Sequence, residues 1–471
     1  MAIAFPINPS DGQIFTSGSK TWVYNLTKGA WVGGTVSNSL PLIGSASLTN
    51  PNISGQTWIQ GPAILPKATY AAAYTALGDL PGVESTFPNF PGTDINGVRQ
   101  GIASSGGLLV AGWAPGTNIY ASTDGITWTA RSLGAGLNTE SPFLIYVSVW
   151  SLYVLKVSSG IYTSPDGIVW TRVVVASTNS NSAIYFTSIT GGPRIVCARI
   201  IIGGVTRSVW SNDGITWTTG SVDTSAMAEN SIGSVHPDGR ITQGHFTSHD
   251  GGVNWSIGTA PISSRAVYWS TGLNRWLMIG NTNTGNTTLP RAYTGSHVTS
   301  GAITWSQVDL SGALGEGGHG QIRCVADFTM GTVSGVLVAS AAGPLNAIIP
   351  PNSASLSVSF PENETGYTHL WKYDSRIYAL GKTCKIWSCP DTDIMSWSHV
   401  GNYPVGQNNQ TIPCGTDFIP AILGDSLYYI GFTSANAFQV PVKVRHLNTT
   451  TEFGIPSISG IANNSQYIRI S

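Results

Sequence analysis

The sequence predicts an all-β chain, a β-propeller of four-stranded blades, with eight blades by direct count and seven if one weak unit is only an elaboration. Three observations carry this. Ser122-Thr-Asp124-Gly-Ile-Thr-Trp128, Ser164-Pro-Asp166-Gly-Ile-Val-Trp170, Ser211-Asn-Asp213-Gly-Ile-Thr-Trp217 and Ser248-His-Asp250-Gly-Gly252-Val-Asn-Trp255 repeat one motif. Their tryptophans fall 42, 47 and 38 residues apart, the length of a four-stranded blade rather than of a helical repeat. With 56 Gly, 10% charged and 41% hydrophobic residues, the composition suits short strands and many turns, and excludes a disordered chain.

Each motif contains the chemistry of a tight turn. The Asp carboxylate can accept backbone N–H groups of its own turn, the Gly takes a positive φ, and the Ser two residues before the Asp adds a local hydrogen bond. The Trp then starts the outer strand and offers a large apolar body to a neighbouring blade. Ser122, Asp124, Trp128, Ser164, Asp166, Trp170, Ser211, Asp213, Trp217, Ser248, Asp250, Gly252 and Trp255 are therefore read as structural.

In chain order, residues 1–35 alternate aromatic and polar side chains as two or three short strands, too few to stand alone in water. Residues 36–96, rich in Ser, Asn, Pro and Gly, read as a linker or extended arm, with Ala68 to Leu77 as its one helical stretch. The propeller follows over residues 97–456, in units Gly97 to Arg131, Pro142 to Val175, Ala183 to Val222 and Ser231 to Gly258. A fifth unit ends at Trp305 after a longer turn containing His297, and a sixth, Gln321 to Phe360, loses both Asp and Trp. A seventh recovers them as Ser388-Cys-Pro-Asp391 and Trp397, and an eighth spans Asp417 to Phe453. Residues 457–471 form a tail.

Several function classes are disfavoured. Lys+Arg at 22 against Asp+Glu at 23 gives no electrostatic basis for binding nucleic acid or an anionic membrane. The start of the chain has neither a basic stretch nor a continuous apolar one, so no secretion signal is expected, and no apolar run is long enough to insert in a membrane. Five scattered cysteines cannot all pair, and reduced core thiols are expected, Cys384 and Cys389 included. His236 with Asp238, and His245 with His249, are read as turn and strand residues; no metal ligands, cofactor or catalytic set is assigned.

The first residues resemble the leader of tailed-bacteriophage structural proteins. Phe5, Pro6, Pro9, Gly12, Gln13, Phe15, Thr16, Trp22, Tyr24, Asn25, Gly29 and Trp31 carry the likeness, and Tyr467-Ile-Arg-Ile-Ser471 is similar to the termini of such proteins. The resemblance implies a virion protein, made in the host cytoplasm, oligomeric in the particle and anchored to other virion proteins through residues 1–35, with Phe5, Phe15, Trp22, Tyr24 and Trp31 as the anchor. The repeats resemble the Asp-box, or bacterial neuraminidase repeat, family, although only Ser248 to Trp255 matches its full Ser-x-Asp-x-Gly-x-x-Trp spacing. That family contains sialidases, and the nearest approach to their Arg-Ile-Pro signature is Gly192-Pro193-Arg194-Ile195-Val196, which lacks the proline after Ile.

Binding residues are expected on the face opposite the Asp-Gly turns, where the second-to-third and blade-to-blade loops gather. Trp113, in the Gly-rich loop Gly112 to Gly116, offers a ring on which a sugar could stack. Glu316 and His319 bring a carboxylate and an imidazole together in a second Gly-rich loop. The expected function is a phage tail fibre or related host-recognition protein whose propeller binds a host surface glycan or protein. A purely structural virion component (head fibre, capsid decoration or tail-tip protein) is the alternative, and a sialidase or polysaccharide depolymerase a second.

Overall fold

A computed structural model describes residues 14–17, 20–25, 30–33, 46–47, 58–60, 63–77, 82–86, 102–105, 107–112, 116–137, 143–157, 159–176, 184–189, 191–225, 227, 233–259, 263–284, 287–308, 322–340, 345–349, 354–358, 367–381, 383, 385–402, 421–423, 426–432, 439–446, 451–455 and 467–469. They fall into two compact units: Met1–Gly61, Lys67–Gly78 and Asn464–Ser471 form one, Pro62–Pro66 and Asp79–Asn463 the other.

The larger unit is an eight-bladed β-propeller. Blades 1 to 7 are four-stranded antiparallel sheets of consecutive strands: Ile102–Ser105 to Thr129–Leu137, Phe143–Val147 to Thr171–Val175, Ile184–Ile189 to Thr218–Asp223, Gly233–Val235 to Ser256–Ile257, Ser263–Ser270 to Trp305–Val308, Ile322–Met330 to Ala354–Val358 and Tyr367–Tyr373 to Ser398–Asn402. Blade 8 is built differently. Ala421–Leu423, Ser426–Phe432 and Gln439–His446 are its first three strands, and Val83–Thr86 is its fourth, with Lys443 opposite Thr86 and His446 opposite Val83. Each blade touches the next, blades 5 and 6 through a shared apolar cluster and blades 7 and 8 through their outer strands, and the first strand of blade 8 touches that of blade 1, so the ring is closed.

Closure corrects the reading of residues 36–96 as a linker. Four polar-leaning residues between Pro81-Gly82 and Pro88 carry no local strand signal, because their partner lies hundreds of residues away. The ladder to Gln439–His446 and the burial of Val83 give the strand its stability. Glu452 and Phe453, assigned in sequence to the eighth unit, lie on the strand Glu452–Ile455, which pairs with Ala63–Pro66 instead.

The core lies between blades. One apolar cluster joins Val154 and Ile161 of blade 2, Ile195 and Val209 of blade 3, and Ile241, Phe246 and Trp255 of blade 4; another joins Phe328 and Leu337 of blade 6 with Ile377, Trp387 and Trp397 of blade 7. Stacked sheets exclude water from both faces, which is why second and third strands such as Leu152–Val157 and Gly160–Ser164 are buried throughout. Cys197 and Cys389 are buried thiols; Cys197 Sγ donates to the Arg199 carbonyl at 3.6 Å, and burial pushes Cys389 up to about 12.

In the smaller unit, Ile14–Ser17, Lys20–Asn25 and Ala30–Gly33 form a meander that sets Phe15 opposite Trp22 and Tyr24 opposite Trp31. Ala46–Ser47, Tyr467–Arg469 and Trp58–Gln60 form a second three-stranded sheet, so the segment read as a tail contributes a strand. The helix Ala71–Leu77 is the one expected near Ala68 to Leu77, and Lys67 Nζ lies 3.1 Å from Tyr74 Oη beside it.

Candidate functional site

The four motif turns each join the third strand of a blade to its fourth, and their bonds repeat almost atom for atom. In blade 3, Ser211 Oγ donates to Asp213 Oδ1 at 2.9 Å and accepts the Gly214 N–H at 2.8 Å, while Asp213 Oδ1 accepts the N–H groups of Ile215 and Thr216 at 2.8 and 2.7 Å. Asp124 and Asp166 do the same in blades 1 and 2. In blade 4 the extra residue moves the pattern on by one, so Gly252 donates to Ser248 and Val253 and Asn254 donate to Asp250. Trp170, Trp217 and Trp255 each return their indole N–H to the turn, onto the carbonyls of Gly167, Gly214 and Gly252.

This bonding fixes the charge of the carboxylates. The Thr216 N–H, helped by the Ile215 N–H and the Ser211 hydroxyl, holds Asp213 down to about 2 against the opposing effect of burial. Thr127 and Ile126 N–H groups hold Asp124 well below the usual carboxylate range. Anions this well solvated by their own backbone are poor proton donors and poor nucleophiles.

The turns also link blades. A Cβ on Gly214 would stand 2.5 Å from Leu152 of blade 2, one on Gly252 2.3 Å from Val196 of blade 3, and one on Gly125 2.3 Å from Tyr428 of blade 8. Blade 7 carries a variant in which Asp393, not Asp391, serves the turn, accepting from the Met395 N–H and the Ser396 hydroxyl. Asp391 pairs with Lys372 at 3.1 Å, and Trp397 donates to the Ile394 carbonyl.

Arg194, the residue closest to a sialidase signature, is buried and committed elsewhere. Its Nε donates to Asn212 Oδ1 at 2.9 Å, its Nη1 to the Asp250 carbonyl at 2.7 Å, and its guanidinium lies 4.4 Å from the Trp210 ring centre. It ties the turn of blade 3 to that of blade 4.

Among the described residues, one group of His, Cys, Asp and Glu side chains is close enough to hold a metal ion: His236, Asp238 and His297, whose ligand atoms lie within 4.8 Å of one another. His236 and Asp238 occupy the first turn of blade 4 and His297 the last turn of blade 5, an encounter between residues 61 apart that no local sequence signal announces. His236 Nδ1 is 2.7 Å from Asp238 Oδ1, and His297 Nε2 is 2.9 Å from Oδ2. Two features argue against a metal. The Arg240 guanidinium pairs with Asp238 Oδ2 and lies 2.7 Å from His297 Nε2, within the space a cation would take. The imidazoles are stacked at 3.8 Å and 10°, which sets their nitrogens side by side rather than converging on one point. The group instead acts as a polar staple between blades, walled by Trp269, whose ring centre is 4.2 Å from that of His236. Burial pushes Asp238 up, but hydrogen bonds from the Arg240 N–H, His236 and His297 outweigh it and leave the carboxyl below its ordinary range. Burial pushes His297 down.

The other expected sites come apart or fall outside view. His249 lies 2.6 Å from the Gly301 carbonyl, whereas His245 packs on Phe246, so these two histidines have separate partners. Trp113, Glu316 and His319 lie outside the described residues, as does Phe5.

No family model matches the chain, and no curated protein matches it. Solved structures do resemble it at the level of the fold. Sqt1 of Saccharomyces cerevisiae is 11% identical, covering 80% of this chain and 100% of its own, with a TM-score of 0.48. A streptogramin B lyase is 10% identical over 78% of this chain and 98% of its own, with a TM-score of 0.42. YCF48 of Cyanidioschyzon merolae is 13% identical over 82% and 98%, with a TM-score of 0.40. The fold to which the chain belongs is the β-propeller.

Proposed function

We propose that the protein is a bacteriophage virion component, a tail fibre or related host-recognition protein, held in the particle by its N-terminal strands and presenting the loop face of its propeller to a host surface glycan or protein. The supporting observation is the register of the N-terminal meander. The leader-like residues fall on paired strands, Phe15 against Trp22 and Tyr24 against Trp31, the arrangement a small β anchor needs.

Electron microscopy of intact particles carrying an epitope on the propeller tests the reading. Label on tail fibres, lost when residues 1–35 are deleted, is the expected outcome; label on the head would favour a head fibre or capsid decoration. Purified protein should bind host cells, and Trp113→Ala should weaken that binding about tenfold, the effect of losing one well-packed aromatic contact. Release of reducing sugar from host polysaccharide would instead establish a depolymerase.

A further inference from the structure

The motif turns of blades 1 to 3 share a property that their structural role does not require. Ile126, Ile168 and Ile215 occupy one motif position, two residues before the Trp, and are 54, 42 and 64% exposed. Only the backbone N–H of this residue serves the turn, so any side chain would do. In blade 5 the corresponding Ile303 is covered, at 3%. Val169, beside Ile168, is 65% exposed, and Val149, in the first turn of blade 2, is 60% exposed. Val149 adjoins Trp150, against which Gly214 of the blade 3 turn packs, so these aliphatic groups belong to consecutive turns on one face.

The exposed charge on the same arc is of one sign, the guanidinium of Arg194 that bonds Asn212 being buried. Asp124, Asp166 and Asp213 stand one per blade, two residues from each isoleucine, and the described turn residues of blades 1 to 3 on this face include no Lys, Arg or His. We propose that this arc is a docking surface for a basic, aliphatic segment of another protein, the isoleucines and valines taking its apolar side chains and the three carboxylates its Lys or Arg residues. A second copy docking face to face would set carboxylate against carboxylate, and an anionic membrane would be repelled. Exposed apolar groups rimmed by polar and charged side chains mark protein-binding surfaces where they adjoin, as Ile168 and Val169 do within one turn. The inference concerns the face opposite the proposed host-binding loops and does not depend on them.

The test uses the full chain and an octapeptide alternating Lys and Val, with Glu-Val and Lys-Ser octapeptides as controls. The Lys-Val peptide should bind at low salt and the controls should not. Combined Ile126→Ser, Ile168→Ser and Ile215→Ser should weaken binding about tenfold or more, given the apolar area lost. Thr123→Lys with Pro165→Lys, which leave the isoleucines in place, should weaken it several-fold and flatten its salt dependence, as adding like charge at the rim of an interface does. Val175→Ser, at the far end of the outer strand of blade 2, should change nothing. If the triple variant melts early, each single variant should still weaken binding about twofold. Absence of Lys-Val binding, binding indifferent to the isoleucines, or self-association in sedimentation that the isoleucine changes abolish would each overturn the proposal.

Discussion

At the residue scale, Ser211 and Asp213 show how a short motif turns into stability. Ser211 is wholly buried and both donates to Asp213 and accepts from Gly214, so Ser211→Ala leaves a buried N–H without its acceptor. The expected cost is about 1–2 kcal/mol in chemical denaturation, the penalty of an unsatisfied buried donor. Gly214→Ala should cost about 2–3 kcal/mol, because φ is 76° and the new methyl would press on Leu152. The pH dependence has a definite sign. Asp213 is held below its ordinary 3.8, so its contribution is complete above that value and is lost as pH falls toward about 2. His297 and His245 are held below 6.5 by burial, so the folded state disfavours their protonation. Their contribution is present above 6.5 and fades as pH falls below it. Melting curves should therefore show a first decline below 6.5, reduced in His297→Gln, and a second below 3.8.

At the element scale, the closing strand separates strong from weak contributions. Val83 is buried and its side chain approaches Gly401 of blade 7, whereas Glu84 is a surface partner of Arg445, which also pairs with Glu452. Val83→Asp should cost about 3 kcal/mol or more by burying an unpaired charge, and Glu84→Ala no more than about 1 kcal/mol, both read from denaturation midpoints. The sequence made blades 1 to 4 and 7 legible because Ser, Asp and Trp mark their turns. It made blade 8 legible only in part, since Val83–Thr86 has no marker and its ladder partner is remote. The Asp of blade 7 was misplaced for a similar reason: Asp391 and Asp393 differ by two positions, and only the bonds to Met395 and Ser396 tell them apart. The encounter of His236 with His297 depends on which turns of adjacent blades meet, a property of the assembled ring.

At the scale of the whole molecule, the ring couples distant parts of the chain. Tyr428 of blade 8 covers Gly125 of blade 1 and donates to the Asp124 carbonyl at 3.3 Å. Loosening blade 8 should therefore expose blade 1 as well. Hydrogen exchange of Val83→Asp is expected to show faster exchange at Ile119 to Gly125 than at the equivalent residues of blade 4; equal protection in the two would contradict this coupling. The closing ladder also sets a timetable. Glu84 and Arg445 are bonded across a separation of 361 residues, so during synthesis blade 8's outer strand emerges ahead of blades 1 to 7 and waits for nearly the whole propeller to be made. At about 5–20 residues per second that wait lasts some tens of seconds. A chain released before Gln439–His446 is made lacks the ladder partner of Val83–Thr86 and is left as an open arc, its terminal blades exposing sheet faces that the closed ring buries, a state suited to aggregation and to capture by chaperones.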